Sequence, residues 1–266
     1  MELCALEAGR KTGRLAASGR FGTFKAESEQ KVRAPPEVKT NPAFDAMERA
    51  WRSYGKMVSY FGVYEKIYSG MLEKVKGLEC PAESIEIFSA TLPRFQDEPE
   101  FGLKVGLFLS ALIETSKDKN FVLRLGNIGD QVSSIGYSNR KNIIVMGDTG
   151  RSVGQEMKDG SIIVEGNVTY ELGFGMVGGD IKVNGDAGHS VGQSMVGGSI
   201  RVCGNADDNV GWTMQYGKIK VDGDAGEVVG FHMHGGEIRI MGGYGQVSTL
   251  FKGGRIFHRR KLIAAK

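Results

Sequence analysis

Three residues spaced nineteen apart, His189, Asp208 and Glu227, are the set in this chain whose types could do acid–base work together. An imidazole beside carboxylates can take up and return a proton near neutral pH. If the segments that carry them stack in register, neighbours stand about 5 Å apart. Tyr170 and Gln246 continue the same series, and Asp207 adds a further carboxylate. His232 and His234, in H-M-H, have the i, i+2 spacing that puts two imidazoles on one side of a strand, a start toward a metal pair. No third ligand accompanies them, so surface histidines flanking a core methionine are the plainer reading. A second nineteen-residue series, Lys182, Arg201, Lys220 and Arg239, is wholly cationic. Four stacked cations repel unless something negative lies beside them, and Asp180, Asp222 and Glu237 are placed to offset part of that charge.

The elements that must position these residues are written in one repeat. Five gapless units of nineteen residues carry methionine at 157, 176, 195, 214 and 233. Glycine fills the columns beginning at Gly154, Gly160 and Gly166, isoleucine the column beginning at Ile162, and Val164, Val183, Val202, Val221 and Ile240 the column two places on. Imperfect copies flank them: IGYSNRKNIIVMG (135–147), VSTLFKGGRI (247–256) and an earlier FVLRLG (121–126). A fixed short period is the mark of a solenoid. Within the unit, I-x-V-x-G alternates apolar and polar positions, which is strand periodicity, and a helical repeat would not carry so much glycine. Nineteen extended residues give a coil perimeter of roughly 60 Å.

The fold class is therefore mainly β, a single-stranded parallel β-helix of about seven coils. Isoleucine, valine and methionine columns point inward as core. Glycines turn corners through positive φ or allow coils to approach closely, and the Asn or Asp after each third glycine caps local backbone groups. Architecture accounts for nearly every repeated residue. The glycine-rich turns are no phosphate fingerprint, because no strand–glycine–helix unit surrounds them and no G-K-[ST] occurs.

Composition narrows the functional classes. Of 266 residues, 34 are basic and 31 acidic, a net charge of +3, which does not call for nucleic acid or an anionic membrane. The cation series also lacks interleaved aromatics on which bases could stack. Cys4, Cys80 and Cys203 form no CxxC pair and so no thiolate cluster of this chain alone. The first twenty residues show no apolar signal core, and FGLKVGLFLSALI (101–113) is too short and too interrupted to span a bilayer. The expectation is a soluble cytoplasmic protein.

Ahead of the solenoid, residues 1–40 are polar and basic in patches and read as a flexible arm. Residues 41–118 read as a small helical or α/β region, with 119–266 the β-helix. Phe44, Met47, Trp51 and Tyr54 share one helical face, and Val63, Ile67, Met71 and Val75 share another. SIEIF (84–88) reads as a short strand. D-E-P-E (97–100) reads as a helix start with Pro99 in the first turn, giving an amphipathic helix over 99–115 that caps the open end of the first coil.

The phrase G-x-x-M-x-x-G-x-I-x-V-x-G, as in GQEMKDGSIIVEG (154–166) and GQSMVGGSIRVCG (192–204), resembles the repeat of the GXGXG domain. That domain ends the large glutamate synthase subunit and forms the C subunit of formylmethanofuran dehydrogenase. The resemblance covers about 135–257. It implies a right-handed β-helix without catalytic residues or a bound cofactor of its own, serving as a scaffold in a multi-subunit oxidoreductase. Flavin, molybdopterin or iron–sulfur groups would belong to partner subunits. The cation series Lys182, Arg201, Lys220 and Arg239 reads as a solvated charged face or, as the alternative, as the docking face for an acidic partner subunit. The alternatives are a carbohydrate-binding or carbohydrate-cleaving β-helix using His189, Asp208 and Glu227, and an assembly module that forms homo-oligomers.

Overall fold

A computed structural model describes residues 42–55 and 64–266. The arm expected over 1–40 lies outside them, as does Val63. The described residues begin with four α-helices, α1 (Pro42–Ser53), α2 (Tyr64–Val75), α3 (Ala82–Thr91) and α4 (Phe101–Thr115). The chain then winds through β1 (Asn120–Arg124), β2 (Asn142–Met146), β3 (Thr149–Arg151), β4 (Ser161–Val164), β5 (Val168–Tyr170), β6 (Asp180–Val183), β7 (Ala187–His189), β8 (Ser199–Val202), β9 (Lys218–Val221) and β10 (Glu237–Ile240), and closes with β11 (Arg255–His258) and β12 (Lys261–Ala265).

The result is a parallel β-solenoid of about seven turns. One side is a nine-stranded sheet in the order β1-β2-β4-β6-β8-β9-β10-β11-β12, parallel throughout except for β12. Equivalent positions stack in register, as in Ile162↔Ile181, Ile181↔Ile200 and Ile200↔Ile219. FVLRLG supplies the first rung, Phe121↔Ile143, and VSTLFKGGRI the eighth, Ile238↔Ile256. A second side is made of β3, β5 and β7, continued by single bridges Ala187↔Ala206, Ala206↔Ala225 and Ala225↔Tyr244. The third side, residues 152–160 in one coil, is a run of tight turns. Coils bond to each other there too, with Val177 N–H donating to Met157 O at 2.8 Å and Glu156 N–H to Phe174 O at 2.9 Å.

The interior explains the repeat. Met157, Met176, Met195, Met214 and Met233 are fully buried, and so is the isoleucine column. Each methionine methyl lies against a glycine of the next coil: a Cβ built on Gly198 would stand 2.7 Å from Met176 Cε. Likewise a Cβ on Gly192 would meet Ile219 Cδ1 at 2.3 Å. Both of these glycine columns also have positive φ. The third column does not, and its need is space alone, since a Cβ on Gly204 would lie 2.1 Å from Asp186 Oδ1. The Asn and Asp that follow this column bridge coils instead of capping locally. Asp186 Oδ1 accepts from Asn205 N–H at 2.6 Å, and Asn205 Oδ1 from Asp224 N–H at 2.9 Å.

Two further columns with positive φ are written almost without glycine. Ser152, Glu171, Ser190, Asn209 and Val228 form one, with φ between 54° and 67°; Glu156, Gly175, Ser194, Thr213 and His232 form the other. Valine is the worst tenant of such a position, because its branched Cβ crowds the backbone there.

The first coil is covered by helices, in a manner that corrects three expectations. SIEIF is not a strand but part of α3, because Ile85, Phe88 and Leu92, spaced three and four apart, are all fully buried. α3 packs along the edge of β1, where Ser89 Oγ accepts from Arg124 N–H at 2.9 Å and Glu86 pairs with the Arg124 guanidinium at 2.7 Å. The helix expected over 99–115 starts at Phe101, with Pro99 in the preceding turn and Glu100 at φ 55°. It is also buried on nearly every face, not amphipathic, since α2 and α3 cover the side that does not touch the solenoid. Gly102, Gly106 and Ser110 lie on the coil itself: a Cβ on Gly106 would stand 1.6 Å from Ser133 O, and Ser110 Oγ accepts from Gly136 N–H at 2.9 Å. Trp51, Phe88, Phe95, Phe101 and Phe108 fill the space behind it.

Met195→Lys buries an unpaired ammonium in the core and abolishes cooperative unfolding in a urea titration. Val228→Asn, matching Asn209 in its column, relieves about 1 kcal/mol of backbone strain and raises the urea midpoint. An unchanged or lowered midpoint for Val228→Asn would show that the valine is not strained.

Candidate functional site

The second side of the solenoid brings the acid–base series together. Arg151 pairs with Tyr170 and Tyr170 with His189 along β3, β5 and β7. The Tyr170 and His189 rings stand 5.8 Å apart. His189 faces two carboxylates, with Nε2 3.7 Å from Asp207 Oδ2 and Nδ1 3.7 Å from Asp208 Oδ2, both too long for hydrogen bonds. All three side chains are more than 40 % exposed. Asp208 is also committed elsewhere: its Oδ1 accepts from Glu227 N–H at 2.6 Å. It therefore serves the same coil-to-coil bonding as Asp186 and Asn205. Glu227 is exposed. At the upper end of this face a shallow cleft of about 520 Å³ is lined by Asp130, Ser133, Arg151, Thr169, Tyr170 and Glu171. Its Arg151 is held by Glu171 at 3.0 Å.

The cation series is also in register, Lys182↔Arg201↔Lys220↔Arg239, pointing outward from the large sheet. The same column holds Ile144 and Ile163 on earlier rungs and Phe257 on a later one. Two carboxylates serve four cations. Asp222 bridges Arg201 (2.8 Å) and Lys220 (2.6 Å), and Glu237 bridges Arg239 (2.5 Å) and Arg255 (3.1 Å). Asp180 accepts from Ser199 Oγ at 2.6 Å. Lys182 has no ion pair among the described residues. Burial, then the neighbouring Arg201, hold its pKa below the usual lysine value, opposed by Glu165 and Asp222.

His232 and His234 flank the fully buried Met233, and the His232 ring packs against Phe231 at 4.5 Å. Among the described residues no group of three or more His, Cys, Asp or Glu could hold a metal ion. Cys80 is buried, which raises its thiol pKa to about 11. One surface escaped the sequence reading. Phe174, Trp212 and Phe231 share an outward column of the turn side, beside the exposed Val177, Val196 and Tyr216. Their nineteen-residue spacing is in the sequence, but Gln155 and Gln193 interrupt it.

No protein-family profile matches the chain, and no curated protein matches it. Among the described residues no helix is long and apolar enough to cross a membrane.

If the His189 group is solvated surface, His189→Ala leaves the unfolding midpoint unchanged, while Asp208→Ala costs about 0.5–1 kcal/mol by uncapping Glu227. Equal losses from the two variants in the same urea titration would show that the imidazole and its carboxylates act as one unit.

Proposed function

We propose that the chain is a non-catalytic β-helix scaffold, a subunit that an oxidoreductase complex docks against, in line with its resemblance to the GXGXG domain. The observation that supports this reading best is the outward column Lys182, Arg201, Lys220 and Arg239. It is rigidly spaced by the rungs, Asp222 and Glu237 are each shared between two cations, and Lys182 has no ion pair among the described residues. A rigid row of incompletely neutralised charge is a steering and register device for a partner of opposite sign. Flavin, molybdopterin or iron–sulfur chemistry would then reside in that partner. Cytoplasmic location belongs to the same proposal.

The test is affinity purification of the tagged full chain from its native host. The reading expects co-purifying redox subunits, lost when Arg201→Glu and Lys220→Glu are combined and retained with His189→Ala. Because a rim charge acts mainly on association rate and salt dependence, the wild-type complex should also weaken as ionic strength rises. A chain that purifies alone and cleaves glycans without added metal would overturn the scaffold reading.

A further inference from the structure

The two ends of the solenoid differ. At the first coil, α3 occupies the edge of β1 and α4 covers the core, so no strand can add there. At the other end the large sheet, among the described residues, finishes in β12, which pairs there with β11 alone. Lys261, Leu262 and Ala265 are exposed along it. Gly254 and Lys266 exchange both backbone hydrogen bonds, at 3.0 and 3.2 Å. Antiparallel pairing alternates, so the N–H and C=O of the adjacent Ala265 point away from β11, toward the open edge.

The charge around this edge is one-sided. After Glu237 the sequence holds Arg239, Lys252, Arg255, Arg259, Arg260, Lys261 and Lys266, and no Asp or Glu. Glu237 engages Arg239 and Arg255, while Lys252, Arg259, Arg260 and Lys261 have no carboxylate partner within 4 Å among the described residues. Pairing with a second copy through β12 would bring two such clusters together, which like charges directly across strands disfavour. Head-to-tail stacking is blocked by the helical cap.

We infer that β12 is a receiving edge for an extended acidic segment of a partner protein, which adds as the next strand of the large sheet. Its backbone takes the open hydrogen bonds beside Ala265. Its carboxylates meet Arg259, Arg260 and Lys261, and its apolar side chains lie against Leu262. This is strand addition, in which main-chain bonds give affinity and alternate side chains give selectivity. The surface is separate from the Lys182–Arg239 column and the inference does not depend on that column docking anything.

The experiment uses the full chain and a fluorescein-labelled six-residue peptide of alternating glutamate and valine, followed by anisotropy. The acidic peptide binds and the same peptide with lysine for glutamate does not. Ala265→Pro removes an outward N–H without touching the β11 ladder, and weakens binding at least tenfold. Arg260→Glu with Lys261→Glu does the same. Circular dichroism and thermal melting stay unchanged in all variants. Arg201→Glu, on the docking column, leaves peptide binding intact, so failure here is distinguishable from failure of the scaffold proposal. The inference is overturned if the acidic peptide does not bind, or if Ala265→Pro leaves binding unchanged, which would make it charge adsorption alone. It is equally overturned if a single-stranded DNA oligonucleotide binds as tightly and loses affinity in the same variants.

Discussion

The structure hangs on one contact, a side chain of one coil pressed against a glycine of the next. Backbone hydrogen bonds fix the rise between coils at about 4.8 Å, so the interior cannot expand to admit an extra carbon. The Met176 methyl and Gly198, or Ile219 Cδ1 and Gly192, already sit where a Cβ would go. Each coil therefore dictates the residue type of its neighbour at that column, and the neighbour dictates the next. Interiors packed to this density transmit small volume changes instead of absorbing them. That is why the methionine and glycine columns run through five units without a gap, while outward columns with no coil-to-coil bond to make are free to vary.

The same logic separates what the sequence made legible from what it hid. Inward columns and strand positions follow directly from the period, so the rungs at Phe121 and Ile256 could be placed despite altered spacing. The Ser152 and Glu156 columns could not. Positive φ there is imposed by the coil path and not advertised by glycine, and Ser, Glu, Asn and Val all tolerate it at some cost. SIEIF misled because two isoleucines at i and i+2 show a strand period over five residues. Its helical period appears only when Leu92 is counted with Ile85 and Phe88. The candidate site was legible as a column and illegible as chemistry. Spacing placed His189 beside Asp208, but nothing in spacing told that Asp208 was already bonded to the coil below.

Stacking also sets the electrostatic problem that the outer surface must solve. A repeated cation stands one rung from its like, which costs energy unless a carboxylate falls between. Asp222 and Glu237 lie in columns flanking the cations, each reaching two of them, and both are only 12 % exposed. Bridging from a flank lets one acid serve two rungs while the cation tips stay in water. Lys182 is the exception. It stands between buried Ile163 and Arg201 at the point where its column turns from apolar to charged, and its depressed pKa records the poorer setting.

A solenoid made of identical rungs has no inherent reason to stop, so its ends must be designed as differently as its middle is uniform. The helical end solves this with backbone proximity. Gly102, Gly106 and Ser110 strip one stripe of α4 down until it can lie on the coil, and Ser110 Oγ takes up two N–H groups of the first coil. Aromatic side chains then make that lid heavy. At the opposite end the described residues place no helix: a hairpin returns a single strand, with Lys266 bonded to Gly254 and its ammonium on Phe251 O at 2.7 Å. Closure there is by pairing and charge instead of by burial. Repulsion between like-charged edges discourages copies of this chain from adding to one another, and the same charge leaves the edge selective toward a strand of opposite sign.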